Sequence, residues 1–196
     1  LSLPDALPIW SRAFFDSGIH GWWNDEADIN SEQFVFDPFQ AMNMARSLYE
    51  GQRSASDLRV FTLNRSFFVG AQRYAYALWS GDIESNFDSM ARQPVRMLAS
   101  LNLGAASWTM DAGGFINQPP ASSETYARWM QFGAFTPLFR VHGYQDEARQ
   151  PWLYGPQAAQ VATDAIRMRS RFLPYIYSYE RQKHLTGIGL VRPMFY

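Results

Sequence analysis

Two aspartates stand where chemistry can be done. Asp25 follows Trp22-Trp23-Asn24 and Asp82 follows Trp79-Ser80-Gly81, so each carboxylate is reached through tryptophan. Burying an ionised carboxylate without a partner is costly. An acidic group beside large rings is therefore either a solvated loop charge after a buried strand, the usual reading of charge runs, or a group placed for use. Retaining glycoside hydrolysis uses two carboxyl groups about 5–5.5 Å apart, one as nucleophile and one as acid/base, and Asp25 and Asp82 suit those roles. Trp23 and Trp79 supply the apolar surroundings that an acid catalyst uses. Arg65 can hold a carboxylate ionised and hydrogen-bond a sugar hydroxyl, and His142 can donate to another. Asp111 either touches sugar or organises the strand ends.

Other chemistries lack their residues. No His-x-x-x-His or His-Glu-x-x-His spacing occurs, and three scattered histidines make a poor zinc site; only Ca²⁺ on the Asp25-Glu26-Ala27-Asp28 carboxylates is arguable. Gly-x-Ser-x-Gly is absent, so serine-hydrolase chemistry has no foothold. Without Gly-x-Gly-x-x-Gly after the first strand or a P-loop, nucleotide binding is disfavoured. The formal net charge of −1 offers no basic field for nucleic acid. There is no cysteine, which excludes disulfides and thiolate metal sites and assigns no compartment. No apolar run reaches the roughly 18 residues that span a bilayer. Aromatic residues are 16% of the chain, suited to stacking on sugar faces although most must be core.

Short apolar runs alternate with helical stretches to position these residues. Strands are expected at 18–24, 58–64, 75–80, 105–110 and 136–142, ending respectively near Asp25, Arg65, Asp82, Asp111 and His142. Helices are expected over 38–50, opened by Pro38, and over 87–104, where Pro94 should bend the helix and Gly104 end it. Ser122 or Ser123 caps a helix over 124–135, and Pro156 starts a long helix towards 184. Repeated strand–helix units imply a parallel sheet with right-handed crossovers. The chemically rich residues share the carboxy-terminal strand ends, the rim where a (β/α) barrel gathers its site; an open doubly wound sheet would also bind there.

The letters themselves carry more. "GWWND", "RSFFVGAQRYAYALWSGD", "WTMDAGGF" and "FTPLFRVHG" occur in one order, with "RFLPYIYS" and "RPMF" after them. From about residue 12 to 196 they resemble the catalytic barrel of glycoside hydrolase family 31, the retaining α-glycosidases. The resemblance implies a partial (β/α)8 TIM barrel carrying about the last five β/α units. It implies Asp25 as nucleophile, Asp82 as acid/base, Arg65 and His142 as sugar ligands, and Trp23 and Phe115 as aromatic walls. It implies an oligosaccharide or α-glycoside substrate; neither a cofactor nor a metal is expected. Asp28 stands where the family usually has Glu, and Ala112 where it often has Ile, so the support that Asp28 gives the nucleophile loop is in question.

Residues 1–9, "LSLPDALPI", read as a non-native leader ahead of a catalytic domain over 10–196. On that reading the chain is a fragment, and the compartment stays open. A barrel normally takes about 250 residues, so three barrel units and a β-sandwich domain of the parent chain are expected elsewhere. Exposed sheet edges then predict a poorly stable, inactive isolated chain. Two other readings stand beside hydrolysis: transglycosylation on the same residues, and a non-catalytic carbohydrate-binding relic. The sequence does not choose among glucose, xylose, galactose and N-acetylgalactosamine.

Overall fold

The computed structural model describes residues 12–25, 38–145 and 148–196. Residues 1–9, expected to be a leader, lie outside the described residues, as do Glu26 and Asp28. Elements run in the order α1 (12–16), β1 (Gly21–Asn24), α2 (Pro38–Ala55), β2 (Phe61–Asn64), β3 (Tyr76–Trp79), α3 (Phe87–Asn102), β4 (Ser107–Thr109), α4 (Ser123–Gly133), α5 (Pro156–Arg171) and α6 (Leu173–Thr186). Strands and helices alternate from α1 to β2 and from β3 to α4, whereas only a 3-10 turn at Ala71–Tyr74 separates β2 from β3. α4, α5 and α6 follow without a strand between them. The chain divides into units of 1–78 and 79–196. No helix is long and apolar enough to cross a membrane among the described residues.

In the first unit β1, β2 and β3 are parallel and adjacent in chain order. Trp23 pairs with Leu63 and Asn24 with Asn64, so the register brings Asp25 level with Arg65 at the carboxy-terminal ends. The Arg65 amide donates to the Asn24 carbonyl at 3.1 Å. Thr62 and Asn64 are buried polar residues whose hydrogen bonds are made locally. Asn64 Nδ2 donates to Thr62 Oγ1 (2.9 Å) and the Ala77 carbonyl (3.2 Å), and its Oδ1 accepts from Asn24 Nδ2 at 2.6 Å. A buried amide satisfied on both ends fixes the neighbouring strand ends without the cost of an orphaned polar group. Beneath them Ala45, Ala71 and Tyr76 form a core with Met42, Phe67 and Leu78.

In the second unit α4 packs on α5. Ala158, Ala162 and Ala165 recur at helical spacing as the buried residues of α5, and the small side chains of Ala158 and Ala162 admit Tyr126 and Met130 of α4. Ser122 caps α4, its hydroxyl accepting from the Thr125 amide at 3.1 Å. α3 runs as one helix through Pro94, with the Gln93 side chain donating to the Ser89 carbonyl at 2.8 Å.

Two expectations change. Residues 136–142 form no fifth strand; the segment keeps one parallel bridge, Ala112 with Val141, and the Leu138 amide donates to the Trp108 carbonyl at 3.1 Å. The carbonyls that would open the strand are taken elsewhere: the Arg169 guanidinium takes those of Thr136 and Pro137 at 2.7 and 2.9 Å, and the Thr136 hydroxyl donates to that of Leu138 at 2.5 Å. The long helix from Pro156 breaks at Phe172 into α5 and α6, because Pro174 has no amide to return to the preceding turn. Within its unit α6 has no buried residue, and Leu173, Tyr175, Tyr177 and Leu185 are exposed.

Candidate active site

The first unit joins two of the expected site residues directly. Arg65 Nη1 donates to Asp25 Oδ1 at 3.0 Å, and both side chains are about one-third exposed. Each sits one residue beyond a parallel strand, so the pairing register sets their distance as much as their charge does. A charge-assisted hydrogen bond of this kind orients a carboxylate as well as stabilising it. Trp23 lies two residues before Asp25 and is half-exposed, while Trp22 donates its indole N–H to Gln52 Oε1 at 3.0 Å. The two tryptophans therefore divide: one is tied to α2, the other is half-exposed two residues before the carboxylate.

The second unit holds the rest. Asp82 is exposed and follows Gly81, whose φ of +80° lies in the left-handed region open to glycine. Beyond it the chain is locked to the Asp111–Ile116 loop. The Ser85 amide donates to the Ile116 carbonyl at 3.0 Å, the Ile116 amide donates to the Ile83 carbonyl at 2.9 Å, and Glu84 and Ile116 form a parallel bridge. Gly114 has φ +83°, and a Cβ there would stand 2.3 Å from Ser85 Cα, so the close approach demands glycine twice over. Buried Arg149 donates Nε and Nη2 to the Gly114 carbonyl at 3.0 and 2.8 Å, and Trp129 donates to the Ser85 carbonyl at 3.1 Å. The Tyr126 hydroxyl donates to the Arg149 carbonyl at 2.6 Å; burial, with Tyr154 beside it, pushes that phenol up to about 12 although Arg149 opposes the shift.

That framework presents aromatic and charged groups together. Phe115 stacks on the His142 ring with centroids 5.3 Å apart and planes 21° apart, and Tyr144 meets Phe115 edge-on at 5.5 Å. Asp111 is fully buried, with Arg140 Nε 3.4 Å from its Oδ1. The same guanidinium lies over the buried Trp79 indole, 5.1 Å from the ring centroid. Trp108 and Trp129 are core residues, whereas Trp152 is 71% exposed. Arg140 was not singled out by sequence reasoning, although it stands two residues before His142 in "FRVH", where a cation at a strand end was the available signal.

Parallel strands that carry an acid and an arginine, Asp25 and Arg65, just beyond their carboxy-terminal ends are the arrangement of barrel enzymes that work at that rim. The sequence matches the family described as "Glycosyl hydrolases family 31 TIM-barrel domain" over residues 2–179, and the chain belongs to that family. It is 42% identical to a 1,6-alpha-glucosyltransferase of Sporosarcina globispora over 91% of this chain and 15% of that protein. It is 32% identical to an alpha-xylosidase of Saccharolobus solfataricus over 94% of this chain and 28% of that protein. The crystal structure of a family 31 alpha-glucosidase from Bacteroides thetaiotaomicron superimposes with a TM-score of 0.88 at 27% identity, covering 98% of this chain and 34% of that one. The chain thus spans between about a seventh and a third of these relatives' lengths.

Proposed function

We propose that the chain is the carboxy-terminal part of the catalytic barrel of a retaining α-glycosidase, acting on oligosaccharides or α-glycosides by double displacement. Asp25 attacks the anomeric carbon while Asp82 protonates the departing glycosidic oxygen, giving a covalent glycosyl-enzyme. Asp82 then takes a proton from water; the water oxygen attacks the anomeric carbon, the ester bond to Asp25 breaks, and the sugar leaves with its configuration retained. Arg65 orients Asp25. Trp23 and Phe115 wall the sugar and His142 meets its hydroxyls; Trp79 and Asp111, singled out from the sequence as sugar ligands, are buried against Arg140 and support the site from behind. Barrel units and a β-sandwich domain of the parent chain complete the pocket.

The observation that carries this reading is the 3.0 Å pair of Asp25 and Arg65, set by the register of two parallel strands within a chain of family 31. Its test is a panel of aryl α-glucosides, xylosides, galactosides and N-acetylgalactosaminides on the full-length parent, which also selects the sugar. A fluorinated substrate analogue that forms the glycosyl-enzyme but hydrolyses slowly should add its mass to the peptide containing Asp25. Asp25→Ala should abolish turnover, and unchanged turnover would refute the assignment. Sugar binding with no turnover by the wild-type parent would point to a binding relic.

A second reading is favoured by the 42% identical glucosyltransferase. In transglycosylation a sugar hydroxyl replaces water in the second step on the same residues. Product analysis with added acceptor separates the two, longer oligosaccharides marking transfer and free monosaccharide marking hydrolysis.

A further inference from the structure

We infer that Arg140 is a positioning residue that sets Asp82 through Trp79 while it holds Asp111, joining the ends of two strands with one planar cation. The inference rests on the acid/base role proposed for Asp82. Arg140 presents an edge and a face to different partners. Its Nε lies 3.4 Å from Asp111 Oδ1, and its guanidinium carbon lies 5.1 Å from the centre of the Trp79 ring. All three side chains are largely withdrawn from solvent, with Asp111 and Trp79 buried and Arg140 15% exposed. In such surroundings a carboxylate needs a cation, and a cation gains from an indole face.

The chain around Arg140 is held on both sides. The Arg140 carbonyl accepts from the Ala112 amide at 3.2 Å, next to Asp111, and Val141 bridges to Ala112. Trp79 ends β3 and stands three residues before Asp82. Between them come Ser80 and Gly81, and Arg96 of α3 donates to the Ser80 carbonyl at 3.4 Å. A shift of the indole is therefore passed along a short, tethered segment to the carboxyl that must meet the leaving oxygen. Lysine cannot replace this device, because an ammonium offers a point charge and lacks the flat face and fixed donor edge of a guanidinium.

A displaced acid harms substrates unequally. A sugar alcohol leaves only with a proton, whereas an acidic phenol or fluoride departs without one. The experiment compares Arg140→Lys and wild type in the full-length parent on a disaccharide and on an α-glycoside with an acidic phenol leaving group. The expected result is a loss of kcat/KM on the disaccharide of about 100-fold, the scale of a 1 Å misplacement. The activated substrate should lose several-fold less. Trp79→Phe, which leaves Asp111 its cation, should show the same inequality at smaller amplitude and covers the case in which Arg140→Lys fails to fold. Equal losses on both substrates in a folded variant, or no loss, would overturn the inference. Asp82→Asn in the same assay isolates the underlying reading: if it too treats the two substrates alike, the acid/base role falls and not merely the positioning by Arg140.

Discussion

At the scale of single residues, the site is governed by pairs whose members come from different strands. Removing the guanidinium from Arg65 takes away the 3.0 Å donor that orients Asp25. Arg65→Met in the full-length parent should therefore lower kcat/KM by about 100-fold with the fold intact, measured on the preferred aryl glycoside and by circular dichroism. Tyr126 gives a prediction in pH. Its folded value of about 12 lies above the ordinary 10.0, so the folded chain keeps a proton that the unfolded chain gives up first. The stabilisation is fully present below pH 10 and is lost as pH rises from about 10 to about 12. Melting temperature should fall through that window in wild type and fall less in Tyr126→Phe. The variant should start about 1 kcal/mol less stable for want of the hydrogen bond to the Arg149 carbonyl.

At the scale of elements, legibility in the sequence followed whether the determining interactions were local. β1 to β4 were readable because each is a short apolar run closed by a polar or glycine stop, and the α4 cap was readable because a serine hydroxyl serves an amide three residues on. Replacing Ser122 by Ala should cost about 1 kcal/mol, read by denaturant titration. The missing fifth strand was not readable. The carbonyls of Thr136 and Pro137, at its start, are taken by Arg169, some thirty residues away, and no local pattern announces that contact. The break at Phe172 had a local cause in Pro174, which the helical periodicity on either side obscured. The aspartates of the candidate site were legible as motifs, while Arg140 gained meaning only once Asp111 and Trp79 lay against it. Gly114 marks the tightest joint between elements: Gly114→Ala should destabilise by about 1–3 kcal/mol from backbone strain alone, with more from the clash on Ser85, as a lowered melting temperature.

At the scale of the whole molecule, much apolar surface faces outward. α6 exposes Leu173, Tyr175, Tyr177 and Leu185, and Met194, Phe195 and Tyr196 follow it. Surfaces of that kind normally meet another part of a protein. The chain expressed alone should self-associate and bind an apolar fluorescent dye, with no turnover; size-exclusion chromatography, dye fluorescence and an aryl α-glycoside assay check this. A monomeric, active product would contradict it. In the parent, a crystal structure should place the Asp25 and Asp82 carboxyls about 5–5.5 Å apart, whereas a gap beyond about 8 Å would indicate inversion.

The union of 83–85 with 111–116 bears on how such enzymes can be re-engineered. Because Gly114 rests on the Ser85 backbone and the two segments exchange amide hydrogen bonds, neither can be swapped for a homologous stretch alone. A graft that aims to change the preferred sugar would have to carry both pieces as one cassette, together with the arginine that clasps the Gly114 carbonyl.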